Sequence, residues 1–210
     1  MMLYDFAGAP SPRRVRMYLA EKGIEVSRVE VDLRRGGQFA PGYRAINPGC
    51  TVPVLELDDG TCIAESMAIC RFFEALYPEP PLFGTDATEQ GLVEMWSRRA
   101  ELEGYLPAAD VLRNTLRSFA GRALPGRDGD VPQIPELADR GRASFARLLE
   151  RLDTRLADSE FAAGPRFTVA DITAFVTVEF AARAKLGIPE AYANLARWRA
   201  AVAARPSAGA

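Results

Sequence analysis

Apolar and polar positions follow two different rhythms along this chain, and the rhythm changes near Pro78. In the first part the runs are short. Leu3 to Phe6 reads as a strand. Val15, Tyr18 and Leu19 recur at i, i+3 and i+4, the spacing of one helix face, with Gly23 as the stop signal. Val26, Val29 and Val31 predict a second strand, and Gly36 to Asn47 shows no period and reads as an irregular link. Val54 to Leu57 and Thr61 to Ala64 flank Asp58-Asp59-Gly60, residue types that suit the positive φ of a tight hairpin. Ile69, Phe72, Phe73 and Leu76 then return to a helical period near 3.6.

Pro78-Glu79-Pro80-Pro81-Leu82-Phe83-Gly84 places three prolines where a helix would have to continue, and reads as a linker. Everything beyond it has helical rhythm. Leu92, Met95 and Trp96 open a long helix, and Gly121 to Pro135 is a breaker-rich connection. Phe145, Leu148, Leu149, Leu152 and Leu156 form a clean apolar stripe. Thr168-Val169-Ala170-Asp171 resembles a capping box with Asp in place of Glu or Gln, and Ile172, Phe175 and Val176 follow on one face. Leu195, Trp198 and Val202 mark a last helix that ends near Pro206. These stripes are core packing. The expected architecture is an α/β thioredoxin-like N-terminal domain (βαβ, a link, then ββα) over 1–78, a linker over 79–86 and an all-α domain over 87–210.

Composition narrows the function. The chain has 210 residues, 48% of them hydrophobic, enough for a sizeable core in one or two domains. A net charge of −2 gives no argument for a polyanion partner. No apolar run is long enough for a membrane span, and Asp5 interrupts the opening residues where a signal peptide would stay apolar. There is no histidine, so no histidine base or metal ligand is available. Cys50, Cys62 and Cys70 make neither a disulfide framework nor a zinc site. Cys62 and Cys70 read as buried filler, and Cys50, in a loop before Thr51, reads as structural; a reducing cytoplasm fits best.

One stretch carries chemistry. In Thr51-Val52-Pro53-Val54-Leu55 a proline opens a strand, and beyond the hairpin Glu65-Ser66 opens a helix. Pro53 is either a cis proline that turns the Val52 backbone outward or a trans proline that merely starts the strand. Glu65 and Ser66 are either an ordinary helix start or a carboxylate site at a helix N-terminus, and both readings can hold together.

These motifs, with Met67-Ala68-Ile69 after Ser66 and with Phe167-Thr168-Val169-Ala170-Asp171-Ile172, resemble the cytosolic glutathione transferases over nearly the whole chain. Arg13-Arg14-Val15-Arg16 and Ala20-Glu21-Lys22-Gly23 resemble a bacterial and fungal group within them. The resemblance implies a glutathione-conjugating enzyme, usually a homodimer, with glutathione as co-substrate and no other cofactor. Isomerisation, peroxide or disulfide reduction, and binding without catalysis are the competing readings. It implies a cis Pro53 that offers the Val52 N–H and C=O to the cysteinyl backbone of glutathione beside Thr51. Ser66 would donate to the γ-glutamyl carboxylate and Glu65 would accept from its ammonium. Gln38, or Arg35 in its place, would hold the glycyl carboxylate.

The thiol is where the pattern departs. The serine that phi and theta members place at the start of the first helix falls on Ala9, which cannot donate. Ser11, two residues on, is either a substitute or, preferred here, the helix cap ahead of Pro12. Arg113 and Asn114 on the long helix of the second domain are the other candidates to stabilise a thiolate, by charge or by holding a water. Ala9, Tyr105, Leu106, Leu116 and Phe119 are the expected walls of the electrophile site.

Overall fold

A computed structural model describes all 210 residues. The N-terminal layer is β1 (Met2–Asp5), α1 (Pro10–Lys22), β2 (Ser27–Glu30), α2 (Pro41–Ile46), β3 (Val54–Glu56), β4 (Cys62–Ala64) and α3 (Ser66–Leu76). The sheet order is β2-β1-β3-β4, with β1 parallel to β2 and the other pairs antiparallel. Strand alternation sorts the two faces. Leu3 and its partner Leu55 are buried with Val15, Tyr18, Ile69 and Phe73 from α1 and α3. Val54 turns to the other face and packs with Val31 and Tyr43. The stretch from Gly36 to Asn47, expected to be irregular, instead holds one 3₁₀ turn (Gly37–Phe39) and α2, both too short for a helical period to register.

Helix α1 begins with Ala9 as its N-cap and Pro10 in its first turn. It ends at Gly23, whose φ of 65° is left-handed, while the Ile24 N–H reaches back to the Leu19 carbonyl. Lys22 closes this end. Its Nζ pairs with Glu74 at 2.5 Å and donates to the carbonyls of Tyr77 and Pro80 in the linker, at 2.8 and 2.5 Å.

The C-terminal domain holds α4 (Ala87–Arg99), α5 (Leu106–Thr115), α6 (Pro135–Ala157), α7 (Val169–Ala181) and α8 (Ala193–Ala203). A π-helical turn, Ala100–Tyr105, joins α4 to α5, so the long helix expected here carries one wide turn. Its cause is visible. Pro107 has no N–H for the Glu103 carbonyl, and Ser144 on α6 donates to that carbonyl instead, at 3.2 Å. Gly104 lies so close to α6 that a Cβ there would come 2.3 Å from Leu148 Cδ2. The capping box forms at α7, with Asp171 accepting from the Thr168 N–H at 3.0 Å.

The two domains share one core, in which α1 packs on α7 and Arg13 lies 5.4 Å from the centre of the Phe175 ring. The C-terminal turn Pro206–Gly209 returns to α1, where Arg205 holds Glu21 at 2.6 and 2.8 Å and Ser207 adds a hydrogen bond. Burial pushes the Glu21 carboxyl up, but the bonds from Arg205 and Ser207 outweigh it and hold the pKa below its ordinary 4.5. A depressed folded pKa means this contribution is fully present above that ordinary value and is lost as pH falls through the folded one. Glu21→Gln is therefore expected to lower the melting temperature by a few degrees near neutral pH, and to have no effect in acid, where the wild-type group is already protonated. A gap that survives in acid would show that packing, and not the ion pair, carries the effect.

No helix of the structure is long and apolar enough to cross a membrane.

Candidate functional site

The site forms where the β3–β4 hairpin meets α3. The Val52–Pro53 peptide bond is cis. Val52 lies outside the strands, and neither its N–H nor its C=O has a partner within the fold. Val54 pairs with Ala64. Carrying that antiparallel register two residues outward sets Val52 level with Ser66. The free peptide groups and the start of α3 therefore face one space.

Glu65 is the N-cap of α3, with φ 69° and ψ 117°, a conformation rarely taken by a residue with a side chain. Backbone outliers of this kind concentrate at ligand clamps. Ser66 is 4% exposed, and its Oγ accepts from Arg14 Nη1 at 2.9 Å. With that lone pair engaged, the hydroxyl proton is left to donate outward, beside the N–H groups of the first turn of α3.

Arg14 is 1% exposed, and its Nη1 also reaches Glu101 Oε1 at 3.2 Å, while Nε and Nη2 have no partner. Glu101 meets only one of the guanidinium nitrogens and is shared with Arg98, so the charge behind Ser66 is only partly balanced where a carboxylate would bind.

The clamp loop is held by Tyr43 and Asn47, which lie outside the motifs described above. Tyr43 Oη donates to the Thr51 carbonyl at 2.5 Å, and Asn47 Nδ2 donates to the same oxygen at 2.9 Å and to Thr51 Oγ1 at 3.2 Å. Burial pushes the Tyr43 hydroxyl up to about 12. Asn47 Oδ1 accepts from the Gly49 N–H at 3.0 Å, so Asn47-Pro48-Gly49 is an Asx turn that those three residue types could have announced. Thr51 thus serves the loop through its carbonyl and hydroxyl. Gln38 has a buried amide oxygen without a partner, whereas Arg35 has a 90% exposed side chain 3.6 Å from Asp32. Of the two, Gln38 has the unspent polar group.

At the start of α1 the expected cap is corrected. Ala9, not Ser11, is the N-cap, and Ser11 lies inside the first turn, where its Oγ meets Tyr105 Oη at 3.0 Å. Asn114 is corrected as well. It is 6% exposed, and both ends of its amide are in use, donating to the Asp110 carbonyl at 2.8 Å and accepting from the Ile134 N–H at 2.8 Å. It pins the Gly121–Pro135 connection to α5. Arg113 donates to the Arg122 carbonyl at 2.9 Å and lies 4.9 Å from the Phe119 ring centre, and burial lowers its pKa.

Among the expected walls, Ala9 borders a cavity of about 320 Å³ with Pro10, Arg13, Phe180 and Arg183. Tyr105 packs on Phe180 with ring centres 5.4 Å apart and the planes tilted by 34°. Leu116 and Phe119 are half-buried against the core, and Leu106 is 47% exposed. The cysteines stand apart from this site's chemistry. Cys50 is buried at a positive φ of 52°, and burial pushes the Cys70 thiol up to about 12. Cys62, expected to be buried, is exposed at the start of β4.

Comparison with known proteins agrees with this geometry. The family model described as "Glutathione S-transferase, N-terminal domain" matches residues 9–76, and the corresponding C-terminal domain model matches residues 135–201. Glutathione S-transferase 2 of Saccharomyces cerevisiae is 37% identical over 99% of this chain and 87% of its own length. The chain belongs to the glutathione S-transferase family. Among solved structures, a glutathione S-transferase domain-containing protein of Marinobacter aquaeolei is 39% identical, with a TM-score of 0.90 and 99% of each chain covered. Yeast Gtt2 is 36% identical with a TM-score of 0.91, covering 100% of this chain and 99% of its own. The helical half of this transferase thus supplies Glu101 and Tyr105, and the thioredoxin-like half supplies the clamp.

Proposed function

We propose that this transferase binds glutathione along Val52 and across Glu65 and Ser66, and joins its sulfur to a small hydrophobic electrophile such as an activated aryl halide, an enone or an epoxide. The observation that carries the reading is the convergence of an unpartnered Val52 peptide with the Ser66 hydroxyl at one end of the hairpin. An extended cysteinyl-glycine backbone adds to Val52 as a strand would. The γ-glutamyl carboxylate takes the Ser66 hydroxyl and the helix N-terminus, with Glu65 placed for its ammonium. Gln38 is the favoured partner for the glycyl end. Glutathione is the co-substrate, and no other cofactor enters the proposal.

The working unit of the proposal is a homodimer. Leu102 and Leu106, one helical turn apart, are 50% and 47% exposed, as are Leu76 and Tyr77 at 52% and 47%. A cytoplasmic setting fits three free thiols.

Calorimetry with glutathione and steady-state assays with a chlorodinitrobenzene and with an organic hydroperoxide test the reading. Saturable binding with conjugate formation is expected. Hydroperoxide reduction without conjugation would replace transfer by reduction, binding without either turnover would make this a carrier, and no binding would end the proposal.

A further inference from the structure

We propose that the hydroxyls of Ser11 and Tyr105, one from each domain, act as a unit that holds the bound glutathione sulfur as its thiolate. This rests on the glutathione-transfer reading above and assigns the group that Ala9 leaves missing.

The two oxygens are 3.0 Å apart. Two hydroxyls carry two protons. Their mutual hydrogen bond uses one, so the other remains for an outside acceptor. The hydroxyl that accepts within the pair is polarised by its partner and is the better donor for it. The backbone adds a second donor at the same residue. Pro10 and Pro12 have no N–H, and the Arg13 N–H is given to the Ala9 carbonyl at 3.3 Å. The Ser11 N–H is therefore the one unengaged amide in the first turn of α1. Pro-Ser-Pro thus focuses the positive end of the helix on a single residue that also carries a hydroxyl.

Tyr105 is placed for this role by the π turn. It is the last residue of that turn, its ring rests on Phe180, and the Arg14 guanidinium lies 5.8 Å from its centre. Phe180 also borders the cavity beside Ala9 and Pro10. The pair is thus next to two residues that line this cavity, Ser11 following Pro10 in the chain and Tyr105 packing on Phe180. Arg14 links the two parts, since the same side chain that touches Ser66 faces the Tyr105 ring.

The step balances without a protein base. Glutathione loses its S–H proton to solvent, and the sulfur anion accepts one O–H and the Ser11 N–H. The thiolate then forms the S–C bond as the carbon–halogen bond breaks and halide leaves, as the C=C π pair of an enone shifts to an enolate, or as a ring C–O bond of an epoxide breaks to an alkoxide, the last two taking a proton from solvent. A free thiol near pKa 8.5 is mostly protonated at neutral pH, so stabilising the anion is the protein's task.

The test is the pKa of bound glutathione, read from its thiolate absorbance against S-methylglutathione as the blank that removes tyrosine ionisation. In Tyr105→Phe, which keeps the ring on Phe180, the thiol pKa is expected to rise by about one to two units, and kcat/KM below the wild-type pKa to fall by about 10- to 100-fold. Ser11→Ala, which keeps the amide, is expected to give a similar rise, and the double variant little more than either single one. Affinity for S-methylglutathione, which has no thiolate, should stay within about twofold in all three. Bound thiol pKa values unchanged in both single variants would overturn the role of the pair while leaving glutathione transfer intact. Wild-type protein that binds neither glutathione nor its S-methyl analogue would instead overturn the reading beneath it. Parallel losses in S-methylglutathione affinity would reassign the residues to packing and also overturn the proposal.

Discussion

Asp171→Ala is expected to destabilise the protein by about 3–6 kcal/mol, a large part of the roughly 5–15 kcal/mol that holds a typical domain folded. Asp171 is 0% exposed. Its Oδ1 accepts from the Ala162 N–H at 2.8 Å and from Trp198 Nε1 at 2.9 Å, and its Oδ2 accepts from the Thr168 N–H and hydroxyl at 3.0 and 3.2 Å. One carboxylate therefore joins the start of α7, the loop before it and α8. Alanine would leave these buried donors without an acceptor, and each such group costs about 1–3 kcal/mol. The sum falls short of strict addition because the freed loop can move to water. Asp171→Asn keeps one acceptor oxygen and should fall between wild type and alanine. Urea midpoints decide it, and a shift below about 1 kcal/mol in the alanine variant would refute the account.

The same group gives a pH signature opposite to that of Glu21. Burial pushes Asp171 up to about 6 against the pull of its four donors. A raised folded pKa means the native state keeps a proton that the unfolded state has lost, between the ordinary 3.8 and about 6. Its contribution is fully present below that window and declines as pH rises through it, whereas that of Glu21 grows with pH.

Arg14→Met is expected to separate stability from function. Removing one partner of a well-matched buried pair is normally damaging, but Arg14 is badly matched: two of its nitrogens are buried without acceptors. Methionine fills much of the same volume without that desolvation. Glu101 keeps Arg98 at 2.5 Å. Stability should be unchanged or rise by about 1–2 kcal/mol. Glutathione binding should weaken by about 10- to 100-fold, because Ser66 loses its charged donor and the γ-glutamyl carboxylate loses the cation beneath it. Calorimetry beside thermal melting would show both. A variant that binds glutathione as well as wild type would remove Arg14 from the site, and one that fails to fold would make it a structural residue.

The parts of the proposed clamp are legible in the amino-acid sequence because they are local, although the cis state of Pro53 is implied there only by the family resemblance. A cis-capable proline, a hairpin turn and a helix start occur within sixteen residues, Thr51 to Ser66, and strand pairing fixes their relation. The proposed thiol-activating pair is not legible there, because it spans 94 residues of separation from Ser11 to Tyr105. Each residue has a commonplace reading by itself, as a helix start and as a packing aromatic. Asn114 misleads for the reverse reason. A polar residue on a helix bordering a cleft looks available until its own helix takes its Nδ2, through the Asp110 carbonyl, and the Ile134 N–H of a distant connection takes its Oδ1.

The character of the two domains, the break at the linker, the capping box at Thr168 and the hairpin that carries Val52 to Ser66 follow from periodicity or from residues a few positions apart, so the chain's order of residues is enough to set them. What stands behind the clamp and beside the thiol is settled by packing between distant segments. Arg14 meets Glu101, and Ser11 meets Tyr105, only because α1 and the wide turn between α4 and α5 both pack on α7. That turn is set by Pro107, Gly104 and Ser144, whose combined effect no single-chain period records.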